Sequence, residues 1–240
     1  MNIKNLFQDS FSSFRDNWPI SVGTFALYFI ISFVFNLFIA FFSGIIEAIF
    51  SLDPVVGVVF SQSFGQIASL VITPPLLVGL IIFSFKVSRD SDPQINDLFL
   101  GFKKRWSTSV FAYFIILSAS ILLLCIAAIP GLIADNWIIS FLIILILLIP
   151  FTIVGLMISQ TFYLISDDDR IGALEAFSRS ISMMRGYKTK LFLINLIISV
   201  IAIFIIIITC GLGLLAISPF QYILFCKFHD YIKKNPVSTS

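Results

Sequence analysis

His229 is the only histidine among 240 residues, and it stands immediately before Asp230. With the consecutive carboxylates Asp167, Asp168 and Asp169, it is the chain's best material for moving protons or holding a metal ion. One imidazole cannot build a metal shell without carboxylate partners, and three successive side chains on a helix point in different directions. His229 is therefore expected to be a polar anchor at the end of an apolar segment. No glycine-rich phosphate loop or serine-centred elbow is present. No residue is assigned to catalysis, to a cofactor or to a metal, and a non-enzymatic role is expected.

The remaining polar chemistry is gathered just downstream of the acidic run. Asp167 to Asp169 are placed to cap a helix and to complement its positive N-terminal end. Glu175 and Arg179 are four residues apart, a pair on the wet face of that helix. Gly186 ends it, and Lys188 and Lys190 then meet lipid phosphates before an apolar run begins at Leu191. Asp169, Glu175, Arg179, Ser180, Arg185, Gly186, Lys188 and Lys190 thus form a candidate elbow for a partner or for lipid headgroups. The plainer reading is that this elbow anchors a turn at the membrane surface.

The elements that carry these residues are set by composition. Hydrophobic residues make up 59% of the chain and mean hydropathy is +1.06. Soluble domains stay near half apolar. A helix rising 1.5 Å per residue needs about 20 apolar residues to cross roughly 30 Å of hydrocarbon. Six stretches fit: 20–46, 55–85, 110–129, 138–165, 191–208 and 212–228. Fourteen of the fifteen Lys and Arg lie before, after or in alternate connections between them, and the fifteenth, Lys227, is the last residue but one of the sixth. The other connections carry only Glu47 and Asp53, then Asp135, then no charge. The positive-inside rule then predicts six spans with both termini cytoplasmic, in a bacterial inner membrane. No segment has the form of a cleaved signal peptide. Cys125, Cys210 and Cys226 fall within predicted spans, where they act as small apolar residues.

A threefold repeat organises the spans. Pro74, Pro150 and Pro219 lie in the second, fourth and sixth, each followed by an apolar run toward the cytoplasm, and each is a candidate helix kink. Amphipathic segments precede the hairpins. Ile3, Phe7, Phe11, Phe14 and Trp18 share one face, as do Ile95, Leu98, Phe99, Phe102 and Trp106, and then Ala173, Leu174, Phe177, Ile181 and Met184. The expected architecture is an all-α membrane protein of six transmembrane helices in three hairpins, each preceded by a cytoplasmic amphipathic interfacial helix. It forms one polytopic domain, 1–240, with approximate repeats 1–90, 91–168 and 169–234.

The most specific string runs from Asp167 through Arg170, Gly172, Ala173, Glu175, Arg179 and Ser180 to Arg185, Gly186 and Phe192. It resembles the signature of the glycerophosphoryl diester phosphodiesterase membrane-domain family and related uncharacterised six-helix bacterial families. Those carry an acidic residue, a glycine, an alanine, an arginine-serine pair and an arginine- or lysine-glycine pair before a span. The segment Pro219 to Tyr222 resembles their final proline-aromatic element, with Phe220 in place of the usual tyrosine. The resemblance implies a domain sometimes fused to a soluble barrel that hydrolyses glycerophosphodiesters. That barrel is not expected here, since the chain ends at Ser240 soon after its last apolar stretch, so no catalytic residue carries over.

No Asp, Glu, Lys or Arg falls near the middle of a predicted span. The embedded polar residues are neutral: Asn36, Gln62, Gln66, Gln160, Asn195, Gln221 and Tyr222. Hydrogen bonding between helices accounts for most such residues, at about 1 kcal/mol each. The expected role is a scaffold, assembly or regulatory subunit, or a lipid-interacting component. Its expected partners are membrane lipids and another membrane protein or complex, with no nucleic acid and no cofactor. The alternative is a transporter or channel for a neutral or amphipathic small molecule, since charged residues are not needed on such a path. A groove open sideways to lipid favours the first; a polar cavity among Pro74, Pro150 and Pro219, lined by Gln66, Gln160 or Gln221, favours the second.

Overall fold

In a bilayer the backbone must satisfy its own hydrogen bonds, so long apolar stretches become helices. The computed structural model describes residues 2–50, 53–133 and 137–236, and among them no strand occurs. The helices are α1 (Ile3–Asp16), α2 (Trp18–Phe50), α3 (Pro54–Ser88), α4 (Leu100–Lys104), α5 (Trp106–Ile133), α6 (Trp137–Ile158), α7 (Thr161–Asp167), α8 (Ala173–Met183), α9 (Lys188–Ile208) and α10 (Leu214–Lys234). A short 3-10 helix, Ile95–Phe99, leads into α4. Four stretches are long and apolar enough to cross a membrane: Trp18–Phe50, Val56–Ser88, Ile149–Asp167 and Lys188–Ile208. A fifth candidate is the pair Ile95–Lys104 and Trp106–Leu122, bent by 83°. The chain is an all-α, multi-pass membrane protein.

One expectation changes in detail. Glu47, assigned from sequence to an outer connection, lies inside α2, where its carboxylate accepts a hydrogen bond from Ser61 of α3 at 2.6 Å. The ionised carboxylate is acceptor-only, and the Ser61 hydroxyl supplies it a donor across the helix pair. Asp135, the other isolated outer acid, lies outside the described residues.

The three prolines sit inside α3, α6 and α10, and the helix runs on through each of them. Proline deletes one donor but leaves the next bonds intact. The carbonyl four residues before Pro75 is that of Val71, and the Trp106 indole N–H donates to it at 3.2 Å. The interruption in the fourth predicted span falls instead at Ser159–Gln160, between α6 and α7.

Helix α3 is the centre of the bundle, packed against α1, α2, α4, α5, α7 and α10. Its second half is buried all round. Leu76, Leu80, Phe83 and Val87 face Phe25, Leu98 and Ile223; Val78 faces Ala112, Leu164 and Ala176; Ile81 and Phe85 face Tyr163 and Cys226. Lipid is as apolar as leucine, so packing density rather than water exclusion holds such helices together. Close approach is made by glycine. A Cβ on Gly79 would fall on the Leu98 carbonyl, and one on Gly101 would fall on the Pro75 carbonyl. These two glycines let the 3-10 helix and α4 lie backbone against backbone on α3.

The amphipathic segments are helical, and they dock as well as face outward. Helix α1 buries Leu6, Ser10 and Ser13, and its Phe7, Phe11 and Phe14 surround Phe220 of α10 at ring separations of 6.0, 6.5 and 6.4 Å. Buried Ser10, Thr24, Ser43, Ser84 and Ser109 donate to helix carbonyls three or four residues back, which satisfies the hydroxyls without a partner helix.

Candidate functional site

The polar residues with chemical potential converge where α3, α7 and α10 end together. Arg89, just past α3, places its Nε 2.9 Å and one terminal nitrogen 2.5 Å from the two oxygens of Asp230 on α10. Its other terminal nitrogen lies 2.8 Å from Asp167, the last residue of α7. Asp167 also pairs with Lys233 at 2.5 Å, and its side chain is only 6% exposed. Arg89 rests on the Phe85 ring, 4.3 Å from its centroid. The paired carboxylates of Asp230 and Asp167 raise the Arg89 pKa, with Asp230 the larger cause. A planar guanidinium suits this task, because it engages one carboxylate with two donors and still reaches a second.

His229, expected as a polar anchor at the end of an apolar segment, lies at the heart of this knot and is fully buried. Its Nδ1 is 3.0 Å from the Gln160 side-chain oxygen position, and its Nε2 is 3.8 Å from Asp167 with no hydrogen-bond partner. The nearby carboxylate favours the tautomer with its proton on Nε2, in which case Gln160 turns its amide nitrogen toward Nδ1. Burial drives the His229 pKa down to about 4, against the opposing pull of Asp167 and Asp230. The imidazole is therefore neutral, stacked on Tyr163 and edge-on to Phe85. No face of it is open to a substrate.

Gln160 reaches His229 because the helix breaks beside it. The break leaves the Met157 carbonyl and the Gln160 N–H without helix partners, and Ser180 of α8 takes both. Its hydroxyl donates to the Met157 carbonyl at 2.7 Å and accepts from the Gln160 N–H at 3.2 Å. Ser180, read from sequence as part of a docking elbow, is wholly buried and stitches α8 to the α6–α7 junction.

The three consecutive acids separate, as side-chain geometry requires. Asp167 enters the knot. The Asp168 carboxylate turns back to the Arg170 N–H at 2.9 Å and lies 3.6 Å from Arg179. Asp169 is 68% exposed and lies 3.5 Å from Arg105 and 3.9 Å from Lys104. None of them caps α8, whose N-cap is Gly172 with no side-chain bond. Arg105, at the 83° elbow before α5, is 5% exposed and donates to the backbone carbonyls of Asp168 and Ile171. A buried cation thus holds the acidic loop by its main chain.

Beyond the loop, Arg179 pairs with Glu175 at 2.8 Å. Gly186 has φ of 81°, the left-handed conformation that glycine adopts without strain, and it turns the chain from α8 into α9. Tyr187 next to it donates to the Asn235 carbonyl at 2.8 Å, and the Lys190 ammonium sits 5.2 Å above its ring. Arg185 and Gly186 are exposed, and Lys188 and Lys190 partly so. Of the predicted elbow, then, Ser180 faces the core, while Asp169, Glu175, Arg179, Arg185, Lys188 and Lys190 remain at the surface. Arg89, Arg105 and Lys233 were read from sequence only as charges on one side of the membrane. Their pairing depends on which helices become neighbours, and no local spacing announces it.

A second feature lies toward the other end of α3. A groove of about 330 Å³ opens between α2 and α3, lined by Asn36, Ser43, Ser61, Gln62, Gln66 and Ser69. No charged residue lines it. Gln62, Gln66 and Asn36 are exposed along it. Gln160 and Gln221 are elsewhere, so the groove does not lie among Pro74, Pro150 and Pro219.

Among the described residues no group of three or more His, Cys, Asp and Glu is placed to hold a metal ion. No curated protein and no solved structure matches the chain. The match to a known family begins at the elbow, Trp106, and ends just past α10, at residue 236, covering just over half the chain. It takes in the whole acidic loop, Gln160, Ser180, His229, Asp230 and Lys233, and leaves out Arg89 and the α2–α3 groove. The specific link to the glycerophosphoryl diester phosphodiesterase membrane domain finds no support in these comparisons. The family matched over residues 106–236 is described as Protein of unknown function (DUF975), and this chain belongs to it.

Proposed function

We propose that the protein is a non-enzymatic component of a bacterial inner membrane: a scaffold, assembly or regulatory subunit, or a lipid-interacting component. Six spans cross the bilayer as three hairpins, each with a cytoplasmic amphipathic helix before it, and both termini are cytoplasmic. The observation that carries the role is the α2–α3 groove, uncharged in its lining and open on the outer surface of the bundle. Polar side chains turned outward from membrane helices are costly in lipid unless something meets them. The knot at the other end supports the same reading, because its histidine is sealed and its charges hold helices together.

The test is affinity purification from native membranes, with co-purifying proteins and lipids identified. A stoichiometric protein or a retained lipid is the expected result. A lone, lipid-free chain that moves a neutral solute across proteoliposomes would establish the second reading, a transporter or channel for a neutral or amphipathic molecule, which Gln66 in the groove supports. For topology, a chain lacking Cys125, Cys210 and Cys226 carries Asp135→Cys or Lys104→Cys. An impermeant thiol reagent should label the first from outside and the second only after the membrane is breached; the reverse pattern overturns the orientation.

A further inference from the structure

The α2–α3 groove has a definable depth. Gln66 precedes Lys86 by 20 residues in the one continuous helix α3, about 30 Å of rise, which is the thickness of the hydrocarbon layer. With Lys86 and Arg89 held at one surface, Gln62 and Gln66 lie at the opposite boundary, where headgroups meet acyl chains. Gly65 keeps the floor low, since a Cβ there would already touch Ile39 of α2 at 3.6 Å.

Hydrogen-bond capacity in the groove is specific. The hydroxyl protons of Ser43 and Ser69 are given to the carbonyls of Ala40 and Gln66, at 3.1 and 2.9 Å. That of Ser61 goes to Glu47 at 2.6 Å or to the Gly57 carbonyl at 2.8 Å. One N–H of Asn36 goes to the Ser32 carbonyl at 2.7 Å. What is left at the groove is acceptor oxygen from three hydroxyls, the oxygen and second N–H of Asn36, and the complete amides of Gln62 and Gln66. Neither glutamine side chain has a partner among the described residues. An occupant must give several O–H or N–H protons and accept a few from the amides. A phosphate would find no cation lining the groove, whereas a polyhydroxyl group supplies donors and acceptors in the needed proportion.

The neighbouring strip of α2 carries Phe33, Leu37 and Phe41, exposed by 65%, 55% and 66%. An acyl chain leaving the groove would lie along them. Building on the lipid-interacting reading above, we propose that this groove binds the uncharged, polyhydroxylated headgroup of a membrane lipid.

The experiment uses the full-length protein, stripped of lipid in an amine-oxide detergent and titrated with probes of identical acyl chains under native mass spectrometry. The probes are monoglucosyl diacylglycerol, diacylglycerol and phosphatidylglycerol, with free glucose as a separate competitor. The expected result is one monoglucosyl diacylglycerol bound at least about tenfold more tightly than diacylglycerol or phosphatidylglycerol, with no displacement by millimolar glucose. Gln62→Met/Gln66→Met keeps side-chain volume and removes both amides, and should lower that affinity about tenfold, as loss of two membrane hydrogen bonds implies. Ser63→Ala, exposed on α3 but not lining the groove, should leave it unchanged. Equal binding of diacylglycerol, a preference for phosphatidylglycerol, or displacement by glucose overturns the proposal, the last by pointing to a soluble polyol. These comparisons need no variant, so misfolding of the double mutant would not shelter the idea. If the double variant loses a co-purifying protein but keeps its glycolipid affinity, the groove docks a helix; the headgroup assignment then fails while the scaffold reading stands. If the glycolipid is lost and partner proteins remain, both stand.

Discussion

Asp167→Asn tests whether the knot is a set of coupled charges or a chance meeting of long side chains. The carboxylate is 6% exposed and takes charge-assisted bonds from Arg89 at 2.8 Å and Lys233 at 2.5 Å. Each such bond contributes about 1.5–3 kcal/mol, and the asparagine oxygen can still accept one. Orphaning a buried partner costs about 3–5 kcal/mol, but neither cation is orphaned here. Arg89 keeps Asp230, and Lys233 is 55% exposed and regains water. The expected loss is therefore about 2–3 kcal/mol, or roughly 4–12 °C in Tm for a chain of this size. Thermal unfolding in maltoside micelles, followed by tryptophan fluorescence, reads it. Lys233→Met alone should cost about 1 kcal/mol or less, because its ammonium is half in water. The double variant should be less destabilised than the sum by about 1 kcal/mol. Additivity within about 0.3 kcal/mol, or an Asp167→Asn Tm within about 1 °C of wild type, refutes the coupling.

Ser180→Ala should cost about 1–2 kcal/mol, because the Gln160 N–H and the Met157 carbonyl lose their shared partner in a buried place; the same Tm measurement checks it. Gly79→Ala should abolish recovery of folded protein from membranes by size-exclusion chromatography, since its methyl falls on the Leu98 backbone, whereas Gly155→Ala, with nothing within 4 Å of the new atom, should elute as wild type. Stability should fall as pH drops from about 6.5 to about 4, because unfolded His229 takes up a proton that the folded, buried ring refuses until its depressed pKa of about 4. The His229 contribution is complete above pH 6.5 and amounts to about 3 kcal/mol at most. Of the groups facing the ring, Asp167 and Asp230 reduce it and Lys233 and Arg89 add to it. His229→Gln should flatten the Tm–pH profile over that interval; parallel profiles would refute the assignment.

A local string can recur in the sequence and still be used differently in the fold. Pro74 and Pro150 each precede a Val-Gly-Leu by the same spacing, at Val78-Gly79-Leu80 and Val154-Gly155-Leu156. Gly79 is pressed against the 3-10 helix, whereas a Cβ added at Gly155 would meet nothing within 4 Å. The Arg179-Ser180 pair stood out as a motif. Its serine satisfies a helix break that no proline marks and that lies 20 residues away in sequence.

Hydrophobicity and helix length are local properties, summed along one stretch of chain. The amino-acid order by itself therefore determined that this is a helical protein of the membrane, and roughly where each helix starts and stops. Which charges meet is a matter of azimuth and register between helices. Arg89 finds Asp230 across 141 residues, and Arg105 finds the Asp168 carbonyl across 63. Those pairings and the sealed histidine rest on how Gly79, Gly101 and the break at Ser159–Gln160 let the helices lie against one another, and the polar groove rests on how α2 meets α3; only the tertiary structure decided that.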